Sequence, residues 1–164
     1  MWIRTETHDD HAAIRELLGE AFAGSDGNGR IEQRIVDALR EDGELSLCLV
    51  ADIDGRIAGV AVFSPVAIEG AKSWYGLGPV AVAPRDQGNG VGTALIRAGL
   101  AELADLGAAG CVVLGEPAYY ERFGFRNDGE LRYADAPAQY FQSLAFGEAE
   151  AKGDVRYHRS FSSH

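Results

Sequence analysis

The chain has 164 residues, 46% hydrophobic and 24% charged, with 21 glycines that follow no three-residue period. That composition excludes a disordered or collagen-like chain and gives one domain, residues 1–164, enough length to bury a core without disulfide or metal. Fifteen Lys and Arg against 25 Asp and Glu leave a formal charge of −10, a field that repels nucleic acid and anionic membranes, so neither is an expected partner.

Trp2 to Glu6 reads as a first strand. Thr7 and Asp10 have the spacing of a helix start, and Ile14, Leu17, Leu18, Ala21 and Phe22 follow on one helical face. Gly24–Gly29 breaks that helix. A second carries Ile31, Ile35, Ala38 and Leu39 and stops near Asp42-Gly43. The period then falls to two over Leu45, Leu47, Leu49, Ala51 and Ile53, which is strand spacing. Asp54-Gly55 is a hairpin signal, because a type I′ turn needs positive φ at both central residues. Ile57–Val66 is apolar on both faces and predicts a central, doubly covered strand. Lys72–Val82 is another strand, interrupted at Gly76 and at Gly78-Pro79, where proline lacks the ladder N–H.

After the Pro84–Gly90 loop, Gly92, Leu95, Ile96, Gly99, Leu100 and Leu103 form a helical stripe that ends at Gly107–Gly110. Cys111–Leu114 predicts a short buried strand and Ala118–Arg122 a brief helix closed by Gly124. Two tail strands, around Tyr140–Phe146 and Val155–Phe161, are expected to pair as a final hairpin across the polar segment Gly147–Gly153. The whole is α+β, with one parallel crossover from the Lys72–Val82 strand to Cys111–Leu114. The exposed tail strands could pair with a second copy, so a homodimer is one expectation.

The stretch Val80-Ala81-Val82-Ala83-Pro84-Arg85-Asp86-Gln87-Gly88-Asn89-Gly90-Val91-Gly92-Thr93 runs from strand through glycine-rich loop into helix. The first amides of a helix lack internal partners, and glycines at 88, 90 and 92 let a ligand approach them, which suits a phosphate or pyrophosphate. Backbone dipoles also explain how so acidic a chain could hold an anion. The loop has no Lys for a G-x-x-x-x-G-K-[ST] site, and Thr93 stands where G-x-G-x-x-G needs its third glycine.

Gln87, Gly90 and Gly92 instead fit Gln-x-x-Gly-x-Gly, and here the sequence resembles the GNAT superfamily of acetyl-CoA-dependent N-acyltransferases over nearly its whole length. The resemblance implies a GNAT-like fold: a mixed, mostly antiparallel sheet of about six or seven strands with about four helices on both faces, its fourth and fifth strands parallel and splayed. It implies that the loop Gln87, Gly88, Asn89, Gly90, Val91, Gly92 and Thr93 binds the CoA pyrophosphate. The strand Leu77–Val82, with Val80, Ala81 and Val82, would line the pantetheine arm. In Gly115-Glu116-Pro117-Ala118-Tyr119-Tyr120-Glu121-Arg122-Phe123-Gly124-Phe125, the residues Tyr120, Gly124 and Phe125 match the family's Y-x-x-x-G-F segment. The matching tyrosine protonates the departing thiolate in many members, which makes Tyr120 the candidate catalytic acid; Tyr119 is left to packing or substrate contact.

The implied activity is acetyl transfer from acetyl-CoA to a primary amine, on a small molecule or a protein, by direct attack in a ternary complex. A backbone N–H near Val80 would stabilise the developing oxyanion. A non-catalytic acyl-CoA-binding module and another nucleotide-phosphate enzyme are the rival readings. Glu116, Glu32 and Glu44 are candidate bases, with water as an alternative relay. The first two helices and the tail, where acceptor specificity would lie, show no distinctive cluster.

Cys48 and Cys111 lie in apolar runs and read as buried thiols. His8 and His11 read as exposed, with no further ligands at metal spacing, so no metal is expected; His158 reads as a strand residue and His164 as a frayed end. Glu148 and Glu150 read as a solvated loop. No apolar run approaches the ~20 residues of a membrane span, and Met1–Glu6 lacks the basic-then-apolar order of a signal peptide. A cytoplasmic protein is expected.

Overall fold

Switches in hydrophobic period divide the chain into thirteen principal elements in the computed structural model, which describes residues 1–148 and 150–162. In chain order they are β1 (Trp2–Thr5), α1 (His11–Ala21), α2 (Arg30–Glu41), β2 (Leu47–Ile53), β3 (Arg56–Pro65), β4 (Ala67–Ile68) and β5 (Trp74–Val82). There follow α3 (Val91–Asp105), β6 (Gly110–Leu114), α4 (Pro117–Tyr120), β7 (Leu131–Arg132), β8 (Phe141–Ala145) and β9 (Gly153–Arg156). The main sheet has six strands in the order β1-β2-β3-β5-β6-β8, and β4-β9-β7 form a smaller sheet.

The centre of the main sheet follows from alternation. Ala61 and Phe63 of β3 face a core built with Leu95, Ile96 and Leu103 of α3. Val60 and Val62 face the opposite core, with Ile14 and Leu18 of α1 and Leu39 of α2. Both faces are therefore covered, as the unbroken apolar run predicts. The β2–β3 hairpin turns through Asp54 (φ 53°) and Gly55 (φ 82°), the signs a type I′ turn requires. Gly99 lets α3 approach β3: a Cβ there would stand 2.3 Å from Phe63 Cε1.

At Gly78-Pro79 the interruption read from the sequence becomes a bulge. Ala61 faces Val80 and Phe63 faces Leu77, so two steps along β3 match three along β5. The parallel ladder of β5 with β6 spans only Trp74↔Gly110 to Leu77↔Val113. Past Leu77 no residue of β6 pairs with β5, and the two strands, fourth and fifth of the main sheet in chain order, part.

The tail departs from expectation. β8 pairs with β6, while β9 pairs antiparallel with β4 and parallel with β7, so the expected final hairpin does not form and a second parallel pairing exists. The cause is the apolar alternation of the short segments: Ile68, Leu131 and Val155 bury themselves together with Trp74, Val112 and Phe141. The strand expected to Phe161 ends at Arg156, and Arg159–Phe161 is a 3-10 turn. His158 is therefore not a strand residue. Its Nε2 lies 2.6 Å from Asp42 Oδ2 and its Nδ1 lies 2.8 Å from Ser160 Oγ, fastening the tail to the end of α2.

His8 is exposed as expected, but His11 is half-buried against Arg40, whose Nη1 lies 2.8 Å from His11 Nε2. Glu148 and Glu150 are exposed; His164 lies outside the described residues. No helix among the described residues is long and apolar enough to cross a membrane.

Candidate active site

The loop between β5 and α3 carries the first half of the site. Gly88 and Gly90 both adopt φ of 81°, a left-handed conformation that favours glycine, and a Cβ on either would meet open space. Gly90 caps α3, whose first turn holds Val91, Gly92 and Thr93. Among the described residues, none accepts a hydrogen bond from the amides of Gly88, Asn89, Gly90, Val91, Gly92 or Thr93. These amides, at the positive end of the helix dipole, form an anion cradle.

Side chains brace this loop from behind. Gln87 Nε2 donates to the carbonyl of Val82 at 3.1 Å, so its side chain ties the loop to the strand end. Asp86 is buried and paired with Arg56 through both carboxylate oxygens, and the Arg56 guanidinium holds its carboxyl below the usual range. Its negative charge is thus compensated before it can oppose an anion on the neighbouring amides. The hydroxyls of Tyr119 and Thr93 lie 3.3 Å apart. Tyr119 therefore belongs to the loop side, and Gly92 leaves the space its hydroxyl needs.

The second half is a cavity of about 620 Å³ that opens where β5 leaves β6. Leu77, Gly78, Pro79 and Val80 form one wall, with Leu114 and Tyr120 across from them. Of the strand residues expected to line a ligand, Val80 borders the cavity; Ala81 is buried between the sheet and the helices, and Val82 leads into the loop. Tyr120 packs over Gly115, where a Cβ would stand 2.4 Å from the ring, and edge-on to Phe125 at 5.9 Å. Burial pushes its hydroxyl up to about 12, so it stays protonated and able to donate at neutral pH.

The three carboxylates read as candidate bases separate. Glu32 of α2 lines the cavity, and its Oε1 is buried without a hydrogen-bond partner. Glu116 and Glu44 are exposed and do not line it. Cys48 and Cys111 are free, buried and shifted up by desolvation, which disfavours the nucleophilic thiolate. Among the described residues no group of His, Cys, Asp or Glu is assembled for a metal ion.

The remaining walls come from residues that sequence reasoning passed over: Phe22 and Ile35 from the first two helices, and Tyr133, Asp135, Tyr157 and Phe161 from the tail. One signal was available. Five of the six tyrosines follow residue 118, far more than an even spread would give. Folding of the tail over β5 brings two of them, Tyr133 and Tyr157, to the cavity with ring centres 4.9 Å apart.

Comparison with known proteins agrees with this geometry. Residues 44–127, from just before β2 to just past α4, match the acetyltransferase (GNAT) domain family. The uncharacterized N-acetyltransferase YhbS of Escherichia coli K12 is 42% identical over 170 residues, covering 99% of both chains. A GNAT family acetyltransferase from Brucella melitensis, solved in complex with acetyl-CoA, superposes with a TM-score of 0.86 at 49% identity, covering 98% of this chain and 97% of that one. YhbS of Escherichia coli, solved in complex with CoA, superposes at 0.89 with 36% identity, covering 98% and 91%. With an anion cradle, a parted pair of parallel strands and relatives that match end to end, the chain belongs to the GNAT family of acetyltransferases.

Proposed function

We propose that this protein transfers the acetyl group of acetyl-CoA to a primary amine by direct attack while both substrates are bound. The observation that carries this reading is the row of unpartnered amides at Gly88–Thr93 beside a cavity at the parting of β5 and β6. The CoA pyrophosphate would take the amides of Gly88, Asn89, Gly90, Val91, Gly92 and Thr93, with Gln87 holding the loop to Val82. The pantetheine arm would run along Val80–Val82 and complete the ladder that β6 abandons.

In the reaction the amine first gives its ammonium proton to water or to Glu32, the candidate base that lines the cavity, and the neutral nitrogen then forms the N–C bond at the thioester carbonyl. The carbonyl oxygen, as it gains charge, is met by a backbone N–H near Val80. The C–S bond then breaks, and Tyr120 gives its proton to the departing thiolate, to be replaced by the proton the new amide sheds. Side-by-side binding supplies the proximity, and neither Cys48 nor Cys111 needs to carry the acetyl group. Two free, buried thiols also support a cytoplasmic setting.

The test is release of free CoA from acetyl-CoA across a panel of primary amines. CoA should appear only when both substrates are present, with intersecting initial-rate lines. Tight acetyl-CoA binding without turnover on any amine would make the protein a non-catalytic acyl-CoA-binding module. Greater thermal stabilisation by ATP or NAD than by acetyl-CoA would point to a different nucleotide enzyme.

A further inference from the structure

Among the described residues three buried side-chain polar atoms lack any hydrogen-bond partner: Glu32 Oε1, Ser64 Oγ and Tyr157 Oη. Two of these three residues, Glu32 and Tyr157, line the one cavity that adjoins the parting strands. Buried polar groups in folded proteins are paired in the great majority of cases, so an unanswered carboxylate at a cavity wall marks where a ligand's polar end belongs, reached through the Glu32 oxygen that is not enclosed.

The charge of that cavity is one-sided. Glu32 and Asp135 line it, Asp135 exposed at the mouth, while no Lys, Arg or His among the described residues does. Elsewhere in the fold three partly buried carboxylates are answered: Glu6 by Arg40, Asp86 by Arg56, Asp10 by Arg4. Glu32 has no such cation among the described residues. A ligand that supplied one would complete the site with a charge-assisted hydrogen bond. The surfaces around it are apolar: Phe22 and Ile35 on the helical side, Tyr133, Tyr157 and Phe161 on the tail side. A second ammonium group held against these walls, away from Asp135 at the mouth, would lie desolvated and unpaired.

We propose that the acceptor is a small primary amine of single positive charge on an apolar, flat body, with its ammonium on Glu32 and its body between Phe22, Ile35 and the rings of Tyr157 and Phe161. Asp135 draws the cation to the mouth. This deepens the acetyl-transfer reading and rests on it for the meaning of the site, but the binding it asserts is separable from turnover.

The experiment is calorimetric titration of the CoA-loaded protein with phenethylamine as probe. Saturable binding is expected, at least tenfold tighter than that of neutral 2-phenylethanol, spermidine or 3-phenylpropionate. Glu32→Gln should weaken phenethylamine about tenfold or more, the scale of losing one charge-assisted hydrogen bond, while leaving CoA affinity at the wild-type value. Glu44→Gln, at an exposed carboxylate outside the cavity, should leave both unchanged. The comparison with 2-phenylethanol needs no variant and holds even if Glu32→Gln does not fold. Equal binding of the alcohol, tighter binding of spermidine or the carboxylate, or unchanged binding by Glu32→Gln would each overturn the proposal. Phenethylamine that binds as described but never yields CoA from acetyl-CoA would sink the acetyl-transfer reading and leave this subsite standing. CoA release with other amines and no phenethylamine binding would do the reverse.

Discussion

Gly76 and Tyr157 occupy one space: a Cβ on Gly76 would stand 2.7 Å from Tyr157 Cε2. Glycine at this point of β5 lets the tail lay an aromatic ring directly on the sheet, one residue before β5 and β6 part. Gly76→Ala should therefore push the ring outward, with an overpacking cost of about 1–3 kcal/mol. The melting temperature should fall by about 2–4 °C for each kcal/mol. Because the glycine loop is remote from the ring, CoA affinity should hold while KM for the amine rises. Loss of CoA binding in this variant would show that the two halves of the site are not independent.

The alkaline behaviour tests Tyr120 as the proposed acid. Desolvation raises its hydroxyl to about 12, and as a proton donor it works in the protonated form. Activity carried by Tyr120 is therefore present below that value and lost only as pH rises through it. The kcat profile should show no downturn from this group up to pH 10. Tyr120→Phe should lower kcat by about a hundredfold, the lower end for a general acid, with KM for acetyl-CoA little changed. A downturn centred near pH 10 that vanishes in Tyr120→Phe would refute the buried-acid assignment.

The loop gives a prediction about backbone sign. Gly90 sits at φ 81° as the cap of α3 with open space where a Cβ would be, so Gly90→Ala meets no clash. Its cost is the left-handed conformation itself, about 1–2 kcal/mol. Any relaxation would turn the following amides away from a common focus. CoA affinity should drop about tenfold, measured by calorimetry, whereas Gly107→Ala, also at positive φ (87°) but at the far end of α3, should cost similar stability and leave CoA affinity intact.

These contrasts follow the division between what could and could not be read from the residues alone. The Asp54-Gly55 turn, the doubly apolar β3, the break at Gly78-Pro79 and the glycine loop are local: each depends on the conformational limits of residues adjacent in sequence. The cavity's acceptor side is not local. β9 could have closed a hairpin with β8 on propensity alone, and only burial of Val155 beside Ile68 and Leu131 sends it to another sheet. Tyr157 and Phe161 reach the cavity as a consequence of that choice. Position along the chain puts Glu116, just past β6, near the expected reaction centre and leaves Glu32 and Glu44 as further possibilities, whereas the fold sets Glu32 at the cavity with one oxygen buried and leaves the other two exposed.

Acid stability should be traceable to one carboxylate at the entry to α1. Arg4 donates to Asp10 at 2.7 and 3.0 Å and also reaches Asp52 at 3.2 Å, and the amide of Thr7 donates to Asp10 Oδ2 at 2.7 Å. The Arg4 guanidinium, aided by Thr7, holds the Asp10 carboxyl well below the usual range. A carboxyl with a depressed folded-state value stabilises the protein above its unfolded value of about 3.9, and that contribution fades as pH falls through the folded one. Asp10→Asn should cost about 1.5–3 kcal/mol at pH 7, the range for hydrogen bonds to charged groups. The gap between wild type and variant in urea unfolding should then narrow steadily below pH 4, because protonation does to Asp10 what the substitution has already done. A gap that stays constant from pH 7 to pH 2 would mean that Asp10 contributes through packing and not through its charge.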